Sequence, residues 1–436
     1  MSNDSKHRLK ERVFRVLTLG ARDRVSGVFY SVMVIGIILS AVAFLITKGS
    51  SLDDMLDGDR TAYFMDYFNS IYYSLHDPYF EHDVIYPALT TAGYYAVGAV
   101  LEAIHGPFVG SFPFVVIRES ASGMLSYLLI TAVALFVLYK ALNKNKEESR
   151  KETAIFFILS LLSFPMLFSI DRGNSVLIAV IFSLLFFVGY NSDNKKIRYL
   201  SYVFLGIAAG IKIFPFLFGL LVVRRFVESR KYEDLKEMAI CAVIGAVIFL
   251  APFALFEGSF MAMLDNAFGY SGALFPYGHV DISSIIQTTA ILSGYENYSN
   301  LAGAGTAVSL IFILSIAIYV LFYKNAEKWE LICLLSAAQV LCVGVSVPYV
   351  LLYILIPAWY FISSRPVMNL KNAIYAMLLA AVLMLFPGSV IGNETLSYSK
   401  GIILWGIAVI ILVSATVRSY KLNRIDQESK SDDRGA

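Results

Sequence analysis

The chain has 436 residues, 58% hydrophobic and only 16% charged, against about 45–50% and about 25% in soluble domains. That balance excludes an ordinary soluble domain, and the many apolar runs near twenty residues long imply an all-α, polytopic membrane protein. The net charge of +2 says little; Cys241, Cys333 and Cys342 fall within apolar runs, which excludes a disulfide framework and a zinc-ligand spacing.

In chain order, residues 1–25 form a basic leader, too polar and followed by too long an apolar run to be a cleaved signal peptide. A first span is expected at about 26–47. Residues 48–120 then form a long first outer loop, acidic at its start (Asp53, Asp54, Asp57, Asp59). Further on, Tyr63, Phe64, Tyr67, Phe68, Ile71, Tyr72 and Leu75 recur at helical spacing, with Asp66, Asn69, Ser70 and Tyr73 on the other face. This pattern predicts an amphipathic helix lying in the interface, aromatic side down. Residues 88–104 read as a half-inserted, re-entrant helix or, alternatively, as part of an extra pair of spans.

Spans follow at about 121–140, 153–169 and 175–190, the last two joined by the short turn Ile170-Asp171-Arg172-Gly173-Asn174. Another is expected at 238–256, then a second outer loop at 257–300 with a short helix at 282–292. Spans at about 301–323, 329–345, 348–363, 372–390 and 401–417 and a charged, disordered cytoplasmic tail, 418–436, complete the chain. The domain reading is a catalytic module at 1–255 that includes the first outer loop, a second loop and carboxy-terminal module at 256–417, and the tail.

The segment 199–225 is the irregular one. It is apolar and basic at both flanks (Lys195, Lys196, Arg198; Arg224, Arg225, Arg230, Lys231), with Lys212 and Pro215 at its middle. Two basic flanks place both ends in the cytoplasm, so the segment predicts a hairpin broken between Lys212 and Pro215, where proline removes a backbone donor and disfavours helix just before it. Thirteen residues from Tyr199 to Ile211 reach only about 20 Å, which leaves Lys212 inside a hydrocarbon core of about 30 Å. A cation there calls for an anionic partner and points to function. With the hairpin counted as two, twelve membrane helices result. Of 35 Lys and Arg, 29 fall on the assigned cytoplasmic side, five outside, and Lys212 stands alone, which supports cytoplasmic termini and a plasma-membrane protein. No internal repeat is visible, contrary to many secondary transporters.

Polar groups gather on the outer side: Asp66, His76-Asp77, Asp171 to Asn174, Lys212, and His279-Val280-Asp281. No nucleotide-phosphate loop of the G-x-x-x-x-G-K-[ST] kind is present, and an outer-face reaction has no nucleotide sugar available, so an activated substrate must arrive in the lipid. A lipid-linked phosphate suits a buried cation such as Lys212, with Arg172 as a second donor, and Asp66 is the natural base for an acceptor hydroxyl. Asn174, Tyr79, Tyr86, His279 and Asp281 are candidates for sugar or acceptor contacts, the tyrosines by stacking. Each has a structural alternative: Arg172 pairing with Asp171, Asn174 capping the helix after it, His279 and Asp281 serving as plain loop residues.

Three stretches together resemble the polyprenol-phosphate-mannose-dependent mannosyltransferases of glycosyltransferase family 87, within the C superfamily of membrane glycosyltransferases. The first is Asp66 followed by Tyr72-Tyr73, Asp77-Pro78-Tyr79 and Ile85-Tyr86-Pro87-Ala88-Leu89. The second is Arg172-Gly173-Asn174-Ser175, similar to a Gly-Gln-x-Asn turn. The third is Gly206 to Pro215, similar to Gly-x-Ala-x-x-x-Lys-x-x-Pro. The sequence departs from the family pattern at Ala88, and the later Ser-Pro-x-Ser-Trp-x-His stretch is present only as Ser346-Val347-Pro348-Tyr349.

The resemblance implies a C-type glycosyltransferase fold and an inverting transfer of a hexose, mannose in the family, from a polyprenyl-phosphate sugar to a hydroxyl of a glycolipid, glycan or protein. In that scheme Asp66 is the base, Lys212 and Arg172 hold the phosphate, and no cofactor or metal site is assigned. Membrane lipids are partners and nucleic acid is not. The alternatives from other classes are a lipid-linked saccharide flippase or transporter and an oligosaccharide polymerase.

Overall fold

The computed structural model describes residues 25–53, 63–108, 112–144, 150–256, 259–271, 278–342, 346–387 and 392–432. The basic leader before Val25, Asp54, Asp57 and Asp59 of the first outer loop, and residues 272–277 of the second lie outside the described residues. Among those described, all regular structure is helical, as a polytopic membrane chain requires, because only hydrogen bonds within a segment can satisfy the backbone in lipid.

Among the described residues, five helices are long and apolar enough to cross a membrane: Val25–Ile46, Ala121–Leu142, Tyr232–Leu255, Tyr298–Phe322 and Thr395–Val417. A sixth crossing arises if Arg150–Leu161 and Phe164–Arg172 are counted as one span bent by 57°. The sequence leads one to expect a continuous span at 153–169; instead it breaks at Leu162-Ser163, just before Pro165 in the first turn of the second piece. A proline there has no N–H to donate and its ring crowds the preceding turn.

Much of the difference from twelve expected crossings lies in shorter helices. Val176–Gly189, Pro348–Ser363 and Leu370–Leu383 are apolar but fall in the 10–17-residue class. Val176–Gly189 and Pro348–Ser363 are largely buried, as is the inner face of Leu370–Leu383, and they pack in the bundle with Lys328–Leu341, of which every residue from Trp329 to Leu341 is buried. A helix that is apolar all round is one enclosed by others, and hydropathy alone does not separate it from a lipid-facing span. The packing joins both halves of the chain: one core cluster holds residues from Val25 to Ala415. The terminal helix Asn393–Asp432 carries on through most of the segment expected to be a disordered tail.

The amphipathic helix is Met65–Leu75. Its aromatic face is covered by protein: Tyr67, Phe68 and Ile71 pack against Tyr94, Leu101, Ile117 and Tyr127. The stretch expected to be re-entrant or spanning is one unbroken helix, Ala88–His105. It crosses Met65–Leu75 closely at Gly98, where a Cβ would lie 2.9 Å from Leu75 and 3.1 Å from Ile71.

The segment around Lys212 folds back as a hairpin. Helix Lys195–Ile211 ends with Lys212 in an extended conformation, a 3-10 turn spans Phe214–Gly219, and helix Leu220–Ser229 returns. Both limbs meet one carboxylate: Glu237 is bonded by Arg198 and, at 2.8 Å, by Arg225. Arg225 also pairs with Asp234 at 2.6 Å, and the Tyr202 hydroxyl donates to Glu237 at 3.2 Å. Four charged residues, Arg198, Arg225, Asp234 and Glu237, thus lock the open end of the hairpin and leave Lys212 at the other.

Candidate active site

The site is assembled around the tip of helix Phe164–Arg172. Gly173 ends that helix with φ +67°, a left-handed conformation that glycine adopts without steric cost. Space demands glycine as well. A Cβ on Gly173 would lie 2.9 Å from Tyr67 Cβ and 3.2 Å from the Phe64 carbonyl oxygen. The start of helix Met65–Leu75 is therefore pressed onto this turn, and the Phe64 N–H donates to the Asp171 carbonyl at 2.6 Å. The Tyr127 hydroxyl donates to the Ile170 carbonyl just before it.

That apposition brings Asp66 onto the turn's two side chains. Arg172 Nη2 donates to Asp66 Oδ1 at 2.7 Å, and Asn174 Nδ2 donates to Asp66 Oδ2 at 2.7 Å. Asn174 also accepts the Val176 N–H on its amide oxygen at 3.0 Å, so it caps the next helix and holds the carboxylate at once. Arg172 pairs with Asp66, 106 positions earlier in the chain. The Asp66 side chain is 14% exposed and Arg172 24%, so the pair is partly desolvated while still reachable. Charge-assisted bonds of this length fix the carboxylate's orientation and leave each oxygen a further lone pair for a proton.

Lys212 approaches the same space from the hairpin. Its Nζ sits 4.0 Å from the centre of the Tyr86 ring and 5.8 Å from that of Tyr349. Aromatic faces attract a cation but accept no strong hydrogen bond. Among the described residues no oxygen accepts from this Nζ, and the anionic partner expected from the sequence is not bonded to it. Lys400 provides the contrast: more deeply buried than Lys212, at 2% exposed, it donates to the carbonyls of Ala381, Val382 and Met384 at 2.9–3.1 Å and so caps helix Leu370–Leu383. One lysine is structurally satisfied; the other presents its donors to a cavity.

The cavity measures about 900 Å³ and is bordered by Asp66, Tyr86, Arg172, Lys212, His279 and Tyr349. Most of the rest of its wall is apolar, including Phe214, Phe216, Leu217, Leu264, Phe268 and Val350. Residues from all three resemblance stretches and from the second loop therefore face one space. The polar end can hold a charged or hydroxylated group and the apolar wall a hydrocarbon one.

Two of the sequence candidates lie elsewhere. Tyr79 is buried against Phe253 and Phe256, donates to the Tyr86 carbonyl at 3.0 Å and meets Thr91 at 3.0 Å; it supports Tyr86 from behind. Asp281 caps helix Ile282–Leu292, its carboxylate accepting the Ser284 N–H at 2.9 Å and the Ser346 N–H at 3.3 Å. With the Val280 N–H on the Ser346 carbonyl at 2.9 Å, this seam sets His279 in the cavity wall. Burial pushes the His279 imidazole below its ordinary range, partly offset by a bond to the Ser346 backbone.

Tyr349 and Tyr353 are wall residues that sequence reasoning did not select. Tyr349 follows Ser346-Val347-Pro348, and its ring meets Lys212 only because the 3-10 helix Pro348–Ile354 passes beside the hairpin tip. Among the described residues, no group of three or more His, Cys, Asp or Glu is arranged to hold a metal ion.

Compared with known protein families, residues 106–387 match the model of Glycosyltransferase family 87. The match takes in Arg172, Asn174, Lys212 and His279 and begins after Asp66. Among curated proteins, none matches the chain.

Proposed function

The chain belongs to glycosyltransferase family 87, and from that premise we propose that it moves a hexose, mannose first, from a polyprenyl-phosphate sugar to a hydroxyl acceptor. The observation that carries this reading is the shared cavity: a carboxylate on one wall, a lysine with no hydrogen-bond acceptor among the described residues on another, and a mostly apolar remainder.

The donor enters sideways from the bilayer, with its phosphate beside Lys212 and its hydrocarbon chain along the apolar wall. Asp66, oriented by Arg172 and Asn174, takes the proton of the acceptor hydroxyl. The hydroxyl oxygen attacks the anomeric carbon as the bond to the phosphate oxygen breaks, so the configuration inverts. The bonding electrons leave with the lipid phosphate, whose charge Lys212 balances, and Arg172, paired with Asp66, lines the same cavity. Residues 1–255 supply this machinery and 256–417 shape the acceptor side, a glycolipid, glycan or protein. The reaction lies on the extracytoplasmic face of a multi-pass plasma-membrane enzyme with both termini inside.

The test is reconstitution of the purified protein with polyprenyl-phosphate-mannose and an acceptor lipid extract, with no nucleotide present. Labelled hexose should pass to the acceptor in the wild type and not in Asp66→Asn. Transfer from a nucleotide sugar alone, or full transfer by Asp66→Asn, would overturn the reading.

A further inference from the structure

Buried polar groups in folded proteins are nearly always hydrogen-bonded, and one left alone costs about 1–3 kcal/mol. The Tyr353 hydroxyl breaks this rule. The residue is 1% exposed, and its oxygen is buried with no partner. It nonetheless borders the same cavity as Lys212. Phe218 packs near its ring, at 6.3 Å between centres, and Leu217, Ala338 and Val350 line the wall with it; none carries a side-chain acceptor.

Tyr353 lies four residues after Tyr349 in the helix Pro348–Ile354. At a 3-10 rise of about 2 Å per residue, the two are displaced by about 8 Å along its axis. Tyr349 turns its ring to Lys212 at 5.8 Å. What joins the lysine and Tyr353 is the cavity that both residues line; one carries an ammonium and the other a hydroxyl, each lacking an acceptor among the described residues.

We infer that Tyr353 is a second donor to the lipid phosphate, giving the anion an O–H bond beside the Lys212 charge. The inference rests on the reading of Lys212 as the phosphate site and adds the residue that completes it. A single ammonium over two rings attracts a phosphate without orienting it. A hydroxyl at a second point fixes which oxygen faces the lysine.

The experiment is binding of farnesyl phosphate, and separately of farnesol, to the full-length protein in detergent. The variants are Tyr353→Phe and, as a control, Tyr30→Phe, which removes another buried hydroxyl without a partner, in the first span. Phenylalanine keeps the ring, so the fold is retained. Loss of a hydrogen bond to a charged group should weaken farnesyl phosphate binding about tenfold or more in Tyr353→Phe. Farnesol binding should be unchanged, and Tyr30→Phe should behave as wild type.

Wild-type affinity for farnesyl phosphate in Tyr353→Phe would overturn the assignment of Tyr353 alone. So would equal weakening of phosphate and alcohol. A wild-type protein that does not bind the phosphate at all would overturn the donor reading and this inference with it.

Discussion

Asp66 and Asn174 are 108 positions apart in the chain and 2.7 Å apart in space. The same asparagine caps the helix that follows it through the Val176 N–H, so one side chain ties the orientation of a carboxylate to the start of a core helix. Asn174→Asp keeps the capping oxygen and replaces the donor with a second carboxylate. Two like charges in contact at a buried position repel, so Asn174→Asp should lose activity and lower the melting temperature although the capping oxygen is kept. Asn174→Ala loses both bonds and should cost about 0.5–2 kcal/mol of stability along with activity. Thermal melts and transfer rates of both variants check this.

Removing the proposed base should reduce turnover by about 10²–10⁴-fold, the range for general base catalysis. Asp66→Asn should show that loss in kcat, with binding of the lipid phosphate within a few-fold of wild type. Single-turnover transfer of labelled hexose measures the first, and product inhibition by polyprenyl phosphate the second.

Lys212 is held by two rings, at 4.0 and 5.8 Å from their centres, so its removal leaves no protein carboxylate or carbonyl newly unpaired. Lys212→Ala should therefore fold and lose donor binding, raising KM for the donor by about tenfold to a hundredfold, equivalent to about 1.5–3 kcal/mol. Lys400→Ala, by contrast, strips three carbonyls of their donor and should lower the melting temperature. Donor KM and melting curves of the two variants separate a ligand-binding lysine from a structural one.

Gly173→Ala tests the close approach that builds the site. A side chain at φ +67° costs about 1–2 kcal/mol, and its Cβ would press on Tyr67 and Phe64. We expect a lower melting temperature and, because Asp66 is carried on the displaced helix, a fall in kcat. Unaltered kcat would show that the Asp66 geometry tolerates the shift.

His279 gives a pH dependence with a defined sign. Its folded pKa is lowered from 6.5, chiefly by burial, so below that value the unfolded chain takes up a proton that the folded chain resists. The His279 contribution to stability is complete above about pH 6.5 and is lost as the pH falls toward the folded value. His279→Gln should remove that part of the acid sensitivity, measured as the change in melting temperature between pH 7.5 and pH 5.5.

What the linear chain settled is local. Long apolar runs gave the five full-length spans, because burial in lipid demands unbroken hydrophobic helices. The Lys212–Pro215 break and the turn at Gly173 were legible because proline and glycine act on their own backbone. Pairings between distant segments were beyond it. Arg172 next to Asp171 reads as a neighbouring ion pair, yet the packing of Met65–Leu75 brings Asp66 to it. Tyr349 and Tyr353 are, as text, two more aromatics in an apolar run; only the passage of their helix beside the hairpin tip gives them a cavity to face. Helical periodicity fixes which residues share a face, while the angle at which faces meet depends on close packing throughout the bundle, and tertiary structure alone decides that.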